Sequence, residues 1–547
     1  MNPEDIGKYY ESILDKEARK EGGIYYTPSP IVDYMVENSV GELLKSKTPA
    51  EAAKLKIVDP ACGGGVFLLE VYQLLLDWHK KHFGKLTPAK RRKILTDNIF
   101  GVDIDPLAVA ITKYCLAMKC SNDKDFSLDL DENIRCGDSL IDTDCFDWQR
   151  DFSHVFQQGG FDAVLGNPPY VDSETMVATN LQKRELYASL YTSTVGNWDL
   201  FVPFVENGIN LVDQHGIVSF IIPNKIISQD YAASIREIIS NYRLIEIRDY
   251  SRQNVFPIAD VYPVTIVLKK ESVGFFEIKM TTMRTTVEIE RTNIVSNKIM
   301  DGFQWDIFFC TPELTSILIK IANSGNTFRN MVNFYSPCTV EESYKIKTFL
   351  SDSAVTSDSK KLINSGTIDK YVSKWGVRNT TYIKGQYLYP IVSNESLKSM
   401  NNNRYRQSSE SKIIVANMTT VLEAFFDAEA EYLAGKSTVI GIGDYQNMLF
   451  LTGLLNSKLI SIWYQSVYHS TKMSGGALSV TADRINQIPI PNVSRDNQRP
   501  IIALVDKILS AKKTNPSADT TEWEQKIDSL VYKLYGLTKA EIVIVEG

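Results

Sequence analysis

The chain has 547 residues, of which 44% are hydrophobic and 23% charged, and it carries a net charge of −7. That is the composition of a globular protein long enough for at least two domains. No run of eighteen apolar residues suggests a membrane helix, and Met1-Asn2-Pro3-Glu4-Asp5 does not begin a signal peptide, so a cytosolic protein is expected. The seven cysteines include no Cys-x-x-Cys and the five histidines are scattered, so reduced structural thiols and no metal site are expected.

In chain order, residues 1–45 suggest helices flanking the turn Tyr25-Tyr26-Thr27-Pro28. From 50 to 270 short β-branched runs alternate with helical periods. Strands are expected at 56–59, 99–103, 134–138, 161–166, 216–222, 244–248 and 264–269, with helices at 66–82, 105–119, 198–213 and 229–241. Such alternation predicts an α/β fold, a doubly wound parallel sheet with helices on both faces. Residues 271–300 are charged and without a clear period, which suggests a junction.

The chemistry gathers at the predicted strand ends. After Ile57-Val58-Asp59 comes Pro60-Ala61-Cys62-Gly63-Gly64-Gly65, a glycine-rich turn entering an apolar helix. Glycine lets the backbone bend sharply and touch a ligand. The turn lacks the Lys-Ser/Thr of a phosphate-binding loop, and Asp59 would repel a phosphate, so a ligand with positive charge or an amino group suits it better. S-adenosylmethionine has both. Two further acids, Asp103 and Asp138, close the next two strands, and the fourth ends in Asn167-Pro168-Pro169-Tyr170. One such acid is more often a helix cap or turn residue; three at successive strand ends before a rigid Asn-Pro-Pro turn suggest a ligand site. The Asn167 side chain and the Pro168 carbonyl can accept hydrogen bonds from one planar amino group, while Tyr170 can stack on the ring that bears it.

The order of Gly23-Ile24-Tyr25-Tyr26-Thr27-Pro28, Asp59 to Gly65, Gly101-Val102-Asp103-Ile104-Asp105-Pro106, Cys136-Gly137-Asp138 and Asn167 to Tyr170 resembles the γ-class, TaqI-like and Eco57I-like N6-adenine DNA methyltransferases. The likeness covers about the first half of the chain. It implies a class I methyltransferase fold with a seven-stranded sheet over residues 1–280, followed by a mixed α+β DNA-recognition domain at 301–495 and a helical tail at 496–547. It also implies S-adenosylmethionine as cofactor, S-adenosylhomocysteine as product, double-stranded DNA as partner, a bacterial cytoplasmic setting, and a cognate restriction endonuclease as an optional companion. Position by position, the resemblance gives Tyr26 and Thr27 to the methionine carboxylate. Asp59, Ala61, Cys62, Gly63 and Gly65 fall to the methionine and sulfonium pocket, Asp103 and Ile104 to the ribose, and Asp138 to the cofactor's adenine amine. Asp105 is the alternative to Asp103. Catalysis falls to Asn167, Pro168, Pro169 and Tyr170, with Asn167 also bordering the cofactor and Tyr170 and Phe256 against the flipped base.

Residues 1–250 hold 26 Lys and Arg against 37 Asp and Glu, whereas 251–547 hold 33 against 29. The basic share thus moves to the half where a DNA reader would lie. There Lys374-Trp375-Gly376-Val377-Arg378 and Asn401-Asn402-Asn403-Arg404-Tyr405-Arg406 mix cations, amides and aromatics, making Lys374, Trp375, Arg378, Arg404 and Arg406 candidates for DNA contact. For any one of them a solvated loop is the commoner outcome. Leu451 to Lys458 and Ile485 to Pro491 resemble the closing segments of TaqI-like specificity domains.

Two other readings share the core motifs. Amine methyltransferases acting on RNA or protein also use Asn-Pro-Pro-Tyr but usually lack the Tyr-Tyr-Thr-Pro segment and a large C-terminal domain. Type I-like modification subunits borrow recognition from a specificity partner and carry a long helical domain ahead of these motifs. The length after the last core strand favours a chain that brings its own reader.

Overall fold

The computed structural model describes residues 6, 22–23, 25–121, 128–256, 261–272, 274–283, 288–296, 304–469 and 477–547. Most of the expected N-terminal helical region, together with Ile24, Pro257 and residues 284–287, lies outside them. The chain divides into two compact units, Met1–Phe309 and Cys310–Gly547.

The first unit is built on one sheet of nine strands: β1 (Ile57–Asp59), β2 (Ile99–Asp103), β3 (Ile134–Cys136), β4 (Phe161–Gly166), β5 (Val212–Pro223), β6 (Arg243–Asp249), β7 (Pro263–Lys269), β8 (Phe275–Met283) and β9 (Glu288–Ser296). Their order is β3-β2-β1-β4-β5-β7-β6-β8-β9. The strands β1 to β5 run parallel, β7 is antiparallel to both β5 and β6, and β9 is antiparallel to β8. The sheet is therefore mixed and wider than the seven parallel strands expected. The two additional strands occupy the region taken for a junction. Their signal is a period of two: Phe276, Ile278 and Met280 are buried while Phe275 and Glu277 are exposed. Charge on the outer face hid that alternation.

The helices of this unit include α1 (Ser29–Val36), α2 (Val66–Phe83), α3 (Pro88–Asn98), α4 (Pro106–Cys120), α5 (Ser173–Leu190), α6 (Phe201–Leu211) and α7 (Ala233–Ser240). α2 buries Phe67, Leu68, Val71, Tyr72 and Leu75 against the sheet. α1 joins the same core through Val32, Met35 and Val36. α4 starts after Asp105, whose carboxylate accepts the Leu107 N–H at 2.9 Å, and Pro106 occupies the first turn, where a missing N–H costs nothing. α3 and α5 were not expected. The sequence Ser-Glu-Thr-Met-Val-Ala-Thr-Asn of α5 has no strong apolar face, and the helix is interrupted at Asn180 (φ −156°, ψ 73°).

The strand order reverses between β1 and β4. In open α/β sheets such a reversal opens a crevice at the carboxyl ends of the strands. The glycine loop after β1 and the Asn-Pro-Pro-Tyr turn after β4 flank it.

The second unit is mixed α+β. One antiparallel sheet orders Val332–Tyr335, Thr438–Gly443, Lys412–Ala416 and Ala424–Asp427; another joins Ser351–Asp352, Pro390–Ser393, Ser359–Ile363 and Tyr432–Ala434. Helices Tyr445–Asn456, Lys458–Val467, Arg495–Thr514, Thr521–Leu534 and Lys539–Glu546 complete it. The last two are tied in by hydrogen bonds from Lys458 N–H to Asp528 (2.7 Å) and from Lys320 Nζ to Glu541 (3.0 Å).

Candidate active site

The glycine loop folds over the end of β2. The Cys62 N–H donates to Val102 O at 3.0 Å and the Gly65 N–H to Cys62 O at 2.8 Å. Gly65 adopts φ +82°, and a Cβ there would stand 2.8 Å from Thr112 Oγ1, so both conformation and close packing require glycine. Thr112 in turn donates to Gly63 O at 2.7 Å. The Gly63 N–H donates to Asp103 Oδ2 at 2.7 Å, and the Asp105 N–H to Asp103 Oδ1 at 2.9 Å. Each Asp103 oxygen thus holds one backbone donor and keeps capacity for another. Asp105, by contrast, caps α4.

Asp59 is 1% exposed and accepts the Ala61 N–H at 3.0 Å. Burial pushes its carboxyl up to about 8; the Ala61 hydrogen bond opposes this and the nearby Asp103 charge adds to it. A Cβ on Gly166 would lie 2.4 Å from Asp59 Oδ1, so the strand bearing the Asn-Pro turn can approach this carboxyl only as glycine. A buried acid with so little hydrogen bonding suits a cationic neighbour.

At the end of β3, Asp138 Oδ1 accepts the Leu140 N–H at 3.0 Å, and Oδ2 accepts Tyr187 Oη at 2.8 Å and Lys183 Nζ at 2.7 Å. The following Ser139 donates its hydroxyl to Pro60 O, bridging to the glycine loop.

At the end of β4, the Asn167 amide donates from Nδ2 to Tyr25 O at 2.8 Å. Its Oδ1 is buried with no hydrogen-bond partner among the described residues. A buried acceptor left empty costs about 1–3 kcal/mol, which a ligand donor would recover. The Tyr170 N–H donates to Gly23 O at 3.0 Å, so the segment around Tyr25 is stitched to the turn twice. On its far side, the Leu200 N–H donates to Val171 O at 2.9 Å and the Ser173 N–H to Asp199 Oδ1 at 3.3 Å. Asp199 is itself held by Lys225 (2.7 Å) and Tyr231 (2.8 Å).

Tyr170 is 8% exposed and Phe256 is 4% exposed. Tyr25 packs on both, with ring centroids 5.6 Å from Tyr170 and 5.5 Å from Phe256, which are 5.9 Å apart. Tyr170 therefore does not present the open face expected of it; the three rings fill the space between them, and a base stacking there requires a side chain to turn. Thr27 is buried, Tyr26 is half-buried and Ile104 is exposed.

The strand ends of the first unit thus bring together Asp59, Ala61, Cys62, Gly63, Gly65, Asp103, Asp138 and Asn167 to Tyr170. Sequence reasoning passed over Tyr25, Lys183, Tyr187 and Asp199. Tyr25 acts on Asn167 through its backbone carbonyl, which leaves no mark in a sequence, and the other three lie in or beside the unexpected α5.

Among the second-unit candidates, Arg404 requires correction. It is 2% exposed and donates to Pro337 O at 2.9 Å and to Ala434 O, so it ties two segments together inside the unit rather than facing DNA. Trp375 is half-buried, with Nε1 donating to Pro390 O at 3.0 Å and its ring edge-on to Tyr389. Lys374 lies 3.5 Å from Asp369. Arg378 and Arg406 are exposed, Arg406 reaching Asn403 at 3.1 Å. Among the described residues no group of His, Cys, Asp and Glu could hold a metal ion, and no helix is long and apolar enough to cross a membrane.

Residues 97–256 match a sequence-family model described as Eco57I restriction-modification methylase. The chain is 26% identical over 369 residues to the type II restriction enzyme and methyltransferase RM.Eco57I of Escherichia coli, covering 59% of this chain but 37% of that protein. It is 25% identical to the adenine-specific methyltransferase PglX of Streptomyces coelicolor, covering 22% of it. The chain thus spans well under half the length of these two relatives. The type II methyltransferase M.BstVI of Geobacillus stearothermophilus is 22% identical, covering 98% of this chain and 99% of that one. In structure, the chain is similar to the type IIL restriction-modification enzyme MmeI, solved in complex with DNA, with a TM-score of 0.63 at 15% identity over 100% of this chain and 81% of that one.

Proposed function

From an Eco57I-like restriction-modification methylase segment carried on this fold, we propose that the protein is a site-specific DNA methyltransferase that transfers a methyl group from S-adenosylmethionine to the N6 amino group of an adenine turned out of duplex DNA. The observation that carries the reading is the buried Oδ1 of Asn167, without a partner among the described residues, on a side chain held by the Tyr25 carbonyl at the end of the strand where the order reverses. An amine donor is what this acceptor lacks.

The residues present suit the cofactor. Asp59 is the buried acid a sulfonium or ammonium would charge, Gly63 and Gly65 with Ala61 and Cys62 give the backbone cradle, Tyr26 and Thr27 border the methionine end, Asp103 and Ile104 border the ribose, and Asp138 accepts from the adenine amine. When bound, S-adenosylmethionine supplies an electrophilic methyl group. The chain's part is to prepare the nucleophile. An adenine amino nitrogen is weak because its lone pair is delocalised into the ring; hydrogen bonds to Asn167 Oδ1 and the Pro168 carbonyl favour a more tetrahedral nitrogen and concentrate that pair. Holding the amine in near-attack geometry supplies most of the acceleration. Extruding the base from its stack costs roughly a few kcal/mol, part of which Tyr170 and Phe256 would offset by contact once Tyr25 yields. Adenine rather than cytosine N4 rests on a tendency of the resembled family, in which Asn at the first position of the turn goes with adenine and Ser with cytosine, and is supported by a relative named as adenine-specific.

The second unit is assigned target recognition, with Arg378, Arg406 and Lys374 offered for phosphate or base contact and Trp375 as support. A cognate endonuclease and a bacterial cytoplasmic setting belong to the same reading, by analogy with relatives named for restriction-modification systems. The test is to incubate the purified chain with labelled S-adenosylmethionine and unmethylated bacterial genomic DNA, then map modified nucleosides by single-molecule sequencing. N6-methyladenine confined to one short motif is expected; cofactor binding without transfer would overturn the self-sufficient enzyme.

A further inference from the structure

We propose that Lys183 and Tyr187 are positioning residues for the cofactor's adenine, holding Asp138 so that a single acceptor position is offered to a 6-amino group. The inference rests on the assignment of Asp138 to that amine. A carboxylate has about four lone-pair positions, two on each oxygen. Oδ2 is engaged twice, by the hydrogen bond from Tyr187 Oη at 2.8 Å and by the ion pair with Lys183 Nζ at 2.7 Å; on Oδ1 the Leu140 N–H takes one position at 3.0 Å. One position remains, on Oδ1.

The neighbourhood is built to keep that arrangement. Tyr191 Oη donates to Leu140 O at 3.0 Å, while Trp148 Nε1 (2.9 Å) and Asn207 Nδ2 (2.8 Å) both donate to Ser139 O. The whole turn 138–140 is thereby pinned from α5, α6 and the segment before β4. The half of α5 beyond the break at Asn180 is anchored from its other side: Arg184 lies over the Trp198 ring at 4.7 Å and donates to Gly196 O at 2.9 Å. Tyr187 is 5% exposed, and its hydroxyl hydrogen is committed to Asp138. Lys183 also places a positive charge beside the acceptor oxygens of Asp138, where a carbonyl on the ligand would bring a second acceptor instead of a donor.

Calorimetric titration of the full chain with S-adenosylhomocysteine and with its inosine counterpart, which has a carbonyl at position 6, tests this. Wild type should prefer the amino compound. Tyr187→Phe and Lys183→Met should each weaken that preference, the double variant by about tenfold, as loss of hydrogen bonds to a charged group requires, while Lys183→Arg restores most of it. Unfolding of the ligand-free variants near the wild-type temperature separates positioning from simple destabilisation. Variants that keep the full wild-type preference would overturn the inference alone. A wild type that binds both compounds equally would instead remove the assignment of Asp138 on which it rests.

Discussion

Two sets of buried polar groups, one in each unit, are treated differently. In the second unit, Arg404 is enclosed with carbonyl partners on both Nη atoms, and Lys412 forms a buried ion pair with Asp427 at 2.6 Å whose carboxylate also accepts the Glu431 and Tyr432 N–H groups. Apart from Arg404 Nε, which has no hydrogen-bond partner among the described residues, these charged groups are matched and serve architecture. In the first unit, the carboxyl ends of the strands hold the Asn167 oxygen and the Tyr170 hydroxyl without a partner among the described residues, and the Asp59 carboxyl with a single backbone donor, from Ala61. Neither residue type nor a missing partner alone tells these cases apart, since Trp463 Nε1 and Ser461 Oγ of the second unit are also buried without one among the described residues; at the strand ends the unpartnered groups converge with Asp59 and Asp103 beside the glycine loop.

Substitutions can break that contrast. The largest effect on activity is expected for Asn167→Ala, which removes the Oδ1 that no described residue uses together with the Nδ2 donor to Tyr25 O: methyl transfer should fall by at least about 100-fold, while cofactor binding stays near wild type and the melting temperature falls only slightly. A large loss of stability would instead make Asn167 a structural group like those of the second unit. Arg404→Ala should do the converse, lowering stability by about 2–4 kcal/mol in denaturant unfolding because two buried carbonyls lose their donor. Unchanged stability would show that the arginine is not needed for packing.

Asp59 gives a pH signature. Its carboxyl is raised in the folded chain, so folding is favoured while it is protonated, and that contribution is lost as pH rises from its ordinary value near 4 toward about 8. A bound cation favours the ionised form, so affinity for S-adenosylmethionine should rise with pH up to about 8 and level off above it, with a slope of at most tenfold per unit. Asp59→Asn should flatten the profile. A wild-type affinity independent of pH from 6 to 9 would exclude cation binding beside Asp59. The smallest effect is expected for the exposed Arg406: Arg406→Ala should change stability by less than about 0.5 kcal/mol but reduce the salt dependence of DNA binding by about one phosphate contact. Identical salt slopes would leave Arg406 a plain surface residue.

Much of the first unit was legible in the sequence because buried parallel strands announce themselves as short β-branched runs, and each of the four site-bearing runs ends where Asp59, Asp103, Asp138 and Asn167 stand. What stayed hidden has identifiable causes. The β8–β9 hairpin alternates beneath a charged outer face. α5 spreads its few apolar residues around the axis and breaks at Asn180, so no helical stripe marks it. Arg404 follows three asparagines and stands two residues before an exposed arginine, and only the turn of a short helix, Asn402–Ser408, carries it inward. Tyr25 contributes a carbonyl, which every residue possesses.

That carbonyl has a further consequence. The orientation of the Asn167 amide, including which of its two ends faces the crevice, is dictated by a residue 142 positions earlier in the chain. The tetrapeptide is therefore inert by itself: grafted onto another sheet, or left behind by a protease that trims the chain ahead of Ser29, it would keep its rigid bend and lose the means to choose oxygen over nitrogen. The proposed reaction would thus depend on a remote segment of backbone resting against the turn, so that the sheet by itself does not complete the site.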